Sequence, residues 1–210
     1  MIKSKEIASI AIFGALSAVI TTITNLPIFR YPPLPFLRFD IGEIIDFLAF
    51  LILGPISALF VVLVHFLTIS AFPGAQVQFA SQAMKAAAIL STILGFLLIT
   101  KIKREIFGIT GALVSRVAIM TFANYLFFLV FFPAYFDGSA SMLSKFLGIN
   151  LTDFWSKFTL LFIFLGIFNA IHALITTIIP LYILKVSPQL VRVASSIKPL
   201  WITRYLNFKK

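Results

Sequence analysis

Prolines, glycines and short basic clusters cut this chain into six apolar runs, several of them as long as a bilayer is thick. A hydrocarbon core of about 30 Å takes roughly 20 helical residues. Inside it every backbone N–H and C=O must be paired within the segment, which leaves helices or a closed barrel. The runs are too long and too continuously apolar for alternating barrel strands, so the expectation is an all-α membrane protein with six transmembrane helices. They extend from about Ile7 to Leu26, Ile41 to Gly54, Ile56 to Ala71, Val77 to Ile99, Ile109 to Phe132 and Phe154 to Leu184. The first has a basic start like a signal peptide, but its length suits a span. The second and third are short, and must be tilted or shielded by neighbours.

Composition agrees: 60% of 210 residues are hydrophobic, 11% are charged, and the mean hydropathy is +1.07. The net charge of +10 raises the question of nucleic acid. Yet the cations flank the apolar runs and form no arginine-rich arm, so no nucleic-acid partner is expected. With the N-terminus inside, eleven Lys and Arg fall on the inner side. Four (Arg30, Arg38, Lys145, Lys157) fall outside, which places both termini in the cytoplasm. Residues 1–185 then form the membrane domain. Residues 186–210 form a basic cytoplasmic tail along anionic headgroups. A segment of four prolines, "PIFRYPPLPFLRFD", joins the first two runs, and a polar segment, "AYFDGSASMLSKFLGINLTD", the last two.

Polar residues inside spans are expensive and face the protein interior or water. Asn124 sits within "MTFANYLFFLVFFPAY". Gln78, Gln82 and Lys85 share one face of the fourth run by their spacing of four and three. Asp40, Glu43 and Asp46 recur every three residues at the start of the second, and Asn169 and His172 lie three apart in the sixth. Together they suggest a pocket opening outward, with the Pro-rich segment at its mouth. Helix-gluing hydrogen bonds are the alternative for Asn124, and a structural ion pair with Asp46 or Glu43 for Lys85. His65 reads as a satisfied core histidine, and Arg116, near the inner end of its run, as a snorkelling cation. Asn150-Leu-Thr152 matches the glycosylation tripeptide, a pattern common by chance.

There is no cysteine, no H-E-x-x-H, no G-x-S-x-G and no phosphate-cradling G-x-x-x-x-G-K-[ST] loop. Neither an enzyme nor a resident metal or cofactor is expected, and any ATP that drives transport must be hydrolysed by another subunit.

Four stretches, "FLRFDIGEI", "LGPISALFVVLVHF", "MTFANYLFFLVFFPAY" and "FNAIHALITTIIP", occur in that order. Through them the chain resembles the substrate-binding S components of energy-coupling factor (ECF) vitamin transporters, within them the riboflavin-specific branch, over about residues 7–185. The resemblance implies a multi-pass subunit of a prokaryotic plasma membrane that binds its vitamin from outside, with "PIFRYPPLPFLRFD" as a lid. It implies a transmembrane coupling protein and a pair of ATP-hydrolysing subunits as partners, and an S component that topples in the membrane. Ala11 and Ala15 match the family's A-x-x-x-A contact with the coupling protein. Asn124, with Tyr125 beside it, matches an Asn-Tyr pair that holds the flavin ring edge. Asn169 fits a polar position in the sixth helix, and Gln82 falls near a family asparagine. His172 and His65 stand where the family has lysines. The site expected is Asn124, Tyr125, Asn169, His172, Gln82, Lys85, Asp40 and Glu43, for riboflavin or another water-soluble vitamin.

Overall fold

The computed structural model describes residues 4–71, 76–99, 105–197 and 201–204, and is almost entirely helical. Its helices are α1 (Ser4–Ile23), α2 (Gly42–Leu53), α3 (Pro55–Ser70), α4 (Gln76–Ile99), α5 (Glu105–Leu126), α6 (Ala134–Leu147), α7 (Phe154–Val186) and α8 (Pro188–Ile197). Four of the described helices are long and apolar enough to cross a membrane: α1, α4, α7 and α5 with its continuation to Phe131. Large apolar side chains such as Ile12, Phe122, Phe131 and Trp155 stand exposed on their outer faces, as a lipid-facing surface requires.

Helix α2 explains how a short apolar run survives here. At 12 residues it is about 18 Å long, well under the hydrocarbon thickness. It packs against α1, α3, α4 and α7, and nearly every residue from Gly42 to Leu53 is buried. Shielded on all sides, it never has to match the bilayer by itself. It hands over to α3 at Gly54-Pro55, where Gly54 has φ +91° and ψ 175°. That conformation is essentially glycine-only, and other residues there cost on the order of 1–3 kcal/mol. A Cβ on Gly54 would also lie 2.9 Å from the Trp201 ring. Gly54→Ala is therefore expected to lose about 1–3 kcal/mol of stability, read as a lower unfolding temperature in detergent.

Helices α4 and α5 pack closely. A methyl group on Gly95 would fall 2.2 Å from the carbonyl of Gly111, so the two backbones touch as small residues in membrane helices permit.

Between α1 and α2 the Pro-rich segment forms a 3-10 turn (Pro27–Phe29) and a two-stranded antiparallel hairpin, β1 (Arg30–Tyr31) and β2 (Leu34–Arg38). Arg30 pairs with Arg38 and Tyr31 with Leu34. Pro32 and Pro33 occupy the turn, and Pro35 is tolerated because a two-stranded ribbon has only edges. Rings pin the hairpin to the bundle: Tyr31 meets Phe168 at 5.5 Å, Phe39 meets Phe168 at 5.0 Å and Phe36 meets Phe128 at 6.3 Å.

Two features depart from expectation. The polar segment between the last two runs carries a helix, α6, with Phe136, Ala140 and Leu143 buried. Their spacing of four and three is the signature of one apolar stripe, outweighed in the sequence by serines and charges. In addition, residues of the basic tail reach the core. After α8 a 3-10 turn (Trp201–Arg204) buries Trp201 and Ile202 beside α2, with the Trp201 ring 4.8 Å from that of Phe50. Much of the basic inner cluster, including Lys101, Lys103 and Arg104, lies outside the described residues.

Candidate functional site

Beneath the hairpin lies a chamber of about 730 Å³, within the range of small-molecule sites. Helices α1, α2, α3, α4, α5 and α7 and strand β2 all contribute to its wall. Part of its lining is aromatic: Phe36, Phe127, Phe128 and Phe168. Phe127 and Phe128 come from a π-helical turn, Phe127–Phe131, that continues α5; such turns are frequent at functional sites. Much of the rest is polar: Gln82, Lys85, Asn124, Asn169, His172, Glu43 and Arg116 on the helices, and Thr22, Asn25 and Arg38 at or near the hairpin.

The polar lining rests on a continuous buried network. Arg116 is 1% exposed, and donates through Nη1 to Glu43 Oε2 at 2.5 Å and through Nη2 to Glu43 Oε1 at 3.3 Å. It also reaches Asn169 Oδ1 (3.4 Å), Thr92 Oγ1 (3.3 Å) and His172 Nδ1 (2.9 Å). The snorkelling expectation for Arg116 is thus wrong. A guanidinium this far from water is stable only with a carboxylate and further acceptors around it, and Glu43 on α2 supplies the first.

Because a guanidinium has only donors, His172 Nδ1 must be an acceptor. An accepting Nδ1 leaves the ring neutral, and its Nε2 lies against the Asp40 backbone, 3.2 Å from N and 3.3 Å from O.

A second branch runs through Asp40. Lys85 Nζ donates to Asp40 Oδ2 at 2.9 Å, so its partner is Asp40 and not Asp46 or Glu43. Asp40 precedes α2 in the chain and accepts from Gly42 N (2.9 Å) and Thr21 Oγ1 (2.7 Å). Thr21 has one hydroxyl hydrogen, committed to this carboxylate, so toward His65 Nε2 (2.8 Å) it can only accept. His65 donates there, and its Nδ1 lies 2.7 Å from Asp46 Oδ2. One proton lies between those two atoms, leaving the His65–Asp46 pair without net charge. Lys85 with Asp40, Arg116 with Glu43 and His65 with Asp46 make the chamber floor electrically balanced.

The expected site residues divide accordingly. Asn124, Gln82, Lys85, Asn169, His172 and Glu43 all line the chamber. Asp40 is buried behind it, where it positions Lys85. Tyr125 is 44% exposed and is not brought to the chamber, since the residue after Asn124 on a helix turns about 100° away from it. His65 is buried and bonded at both nitrogens, in keeping with its reading as a core histidine. The side chain of Gln78 lies outside the described residues. Ala11 and Ala15 are exposed on α1, while Ile10, Gly14, Ser17 and Ala18 face inward.

Two amide oxygens of the lining have no partner among the described residues. Asn124 donates its Nδ2 to Met120 O at 2.7 Å, which answers where its amide goes. Among the described residues its Oδ1 has no hydrogen-bond partner. Gln82 Oε1 is buried without one. Sequence reasoning did not single out Thr21, Arg38 or the four phenylalanines as site residues. Arg116 carried its own signal, because an arginine within a span demands a partner.

A many-helix membrane fold enclosing a chamber with aromatic and polar lining defines a membrane-embedded small-molecule-binding subunit. The family model for the ECF transporter substrate-specific component matches residues 5–184, and the chain belongs to that family. It is accordingly the substrate-specific subunit of an ECF importer: a multi-pass membrane protein, a transporter component and not an enzyme, working with the other components of an ECF module on a small-molecule substrate. No curated protein and no solved structure matches the chain.

Proposed function

We propose that this subunit binds a water-soluble vitamin with high affinity, riboflavin in preference, for uptake across a prokaryotic plasma membrane. In this reading α1, α2, α3, α4, α5 and α7 are six spans, both termini are cytoplasmic, and the hairpin covers the chamber on the outer side. The observation that carries it is the pairing, in one chamber, of aromatic lining with the unengaged acceptors Asn124 Oδ1 and Gln82 Oε1. A planar ring with an N–H donor on its edge satisfies one of them, a hydroxyl of the same guest can satisfy the other, and rings such as Phe168 and Phe128 hold its faces. A wrong guest would leave those buried acceptors unpaired, which is how such sites discriminate. The exposed Ala11–Ala15 strip is a flat surface for close approach by a transmembrane coupling protein, which a pair of ATP-hydrolysing subunits drives.

His172 and His65 in place of the family's lysines favour a second reading, another water-soluble vitamin or precursor. Purified protein separates the two. A yellow sample with flavin absorption, or quenching of added riboflavin fluorescence, supports riboflavin; a colourless sample that quenches nothing points to the second reading. Asn124→Ala is expected to weaken ligand binding by at least about 1 kcal/mol, roughly fivefold, with the fold intact. Unchanged binding would remove Asn124 from the site. Loss of fold with no separate effect on the ligand would make it helix glue.

A further inference from the structure

We propose that Arg38 on β2 forms an anion subsite in the chamber, so that a guest bearing a phosphate ester or a carboxylate binds more tightly than its uncharged counterpart. This rests on the chamber being the substrate site, and goes beyond that reading by naming the group that the chamber favours at the hairpin.

The charges lining the chamber are Glu43, Lys85, Arg116 and Arg38. Lys85 and Arg116 are each matched by a carboxylate, Asp40 at 2.9 Å and Glu43 at 2.5 Å. Arg38 differs. Among the described residues no carboxylate lies within ion-pair distance of it. Its Nη1 donates to Asn25 Oδ1, and its Nε is buried with no partner.

A guanidinium offers five donors in a planar fork suited to a two-oxygen acceptor. Arg38 is half-buried, is held by Asn25 and lines the chamber with Phe36. An anion is the complement this corner lacks.

Elsewhere on the lining the free groups have the reverse polarity. Gln82 Oε1 and Asn124 Oδ1 are acceptors awaiting donors, beside cations already matched by carboxylates. A guest therefore sets its uncharged N–H or O–H groups on those acceptors and its anion at Arg38.

The test is a matched pair: riboflavin and riboflavin 5′-phosphate, titrated by flavin fluorescence quenching against the detergent-purified full chain. The phosphate form is expected to bind about tenfold more tightly, the usual scale for a charge-assisted pair. Arg38→Gln should abolish that difference by weakening the phosphate form far more than riboflavin, and Arg38→Lys should restore part of it. An unfolding temperature close to that of the wild type shows that the variant is folded. Equal affinity of the wild-type protein for both flavins, or equal weakening of both by Arg38→Gln, overturns the proposal. If neither flavin quenches, the riboflavin reading fails and the anion is judged separately. Thermal stabilisation is then measured with biotin against biotinamide, and with pyridoxine against its 5′-phosphate. Stabilisation by the anionic member alone, lost in Arg38→Gln, supports the proposal and tells carboxylate from phosphate; stabilisation by the neutral members, or by none, overturns it.

Discussion

Arg116→Met is expected to destabilise the protein by about 3–5 kcal/mol, the range for removing one partner of a buried ion pair. The loss comes less from the missing attraction than from what stays behind. Glu43 is 2% exposed, and without Arg116 its carboxylate keeps no cation within 3 Å; the nearest charged candidate, His172 Nε2, is 3.7 Å away and is the neutral tautomer here. Asn169 Oδ1 and His172 Nδ1 lose a donor as well. Replacing both members, as Arg116→Met with Glu43→Leu, should recover much of the stability, because an apolar pair leaves no stranded charge. Unfolding temperatures of the wild type, both single variants and the double variant form the cycle. If Arg116→Met melts like the wild type, the arginine is not held in the bundle and the floor described above is wrong.

Trp201→Ala is expected to cost a similar amount, about 3–5 kcal/mol, for a large ring removed from a packed site. Trp201 is 8% exposed, tilted against Phe50 at 4.8 Å and seated over Gly54, where α2 turns into α3. The other tryptophan is an internal control. Trp155 is 71% exposed, and Trp155→Ala should leave the melting temperature of the detergent-solubilised protein nearly unchanged. Trp201 lies outside the chamber lining, so ligand affinity measured well below the melting temperature should survive its loss. A stable Trp201→Ala protein would show that the segment after α8 is not part of the packed core.

How far the sequence reveals this molecule depends on which forces act locally. The apolar helices were legible because a bilayer imposes length and hydropathy on each segment by itself. Helix α6 was not, because its stripe of Phe136, Ala140 and Leu143 is diluted by residues such as Asp137, Ser139 and Lys145. Most of the chamber's polar lining was legible from the rule that membrane-embedded polar groups face inward. The identity of partners was not. Lys85 takes Asp40 over Glu43 or Asp46 because the chain before α2 bends Asp40 under Thr21, a tertiary choice. Arg116 read as a surface cation because position along a span says nothing about which carboxylate a neighbouring helix presents. Tyr125 stood beside Asn124 in the chain and for that reason points elsewhere on the helix.

The buried ionic lattice draws on α1 through Thr21, α2 through Glu43 and Asp46, α3 through His65, α4 through Lys85, α5 through Arg116 and α7 through His172. Sliding one of these helices past another would strand a charge in hydrocarbon, a penalty of several kcal/mol for each bond left open. Internal shear between these helices is therefore costly, and the chamber opens at least cost where the lattice does not reach, at the hairpin.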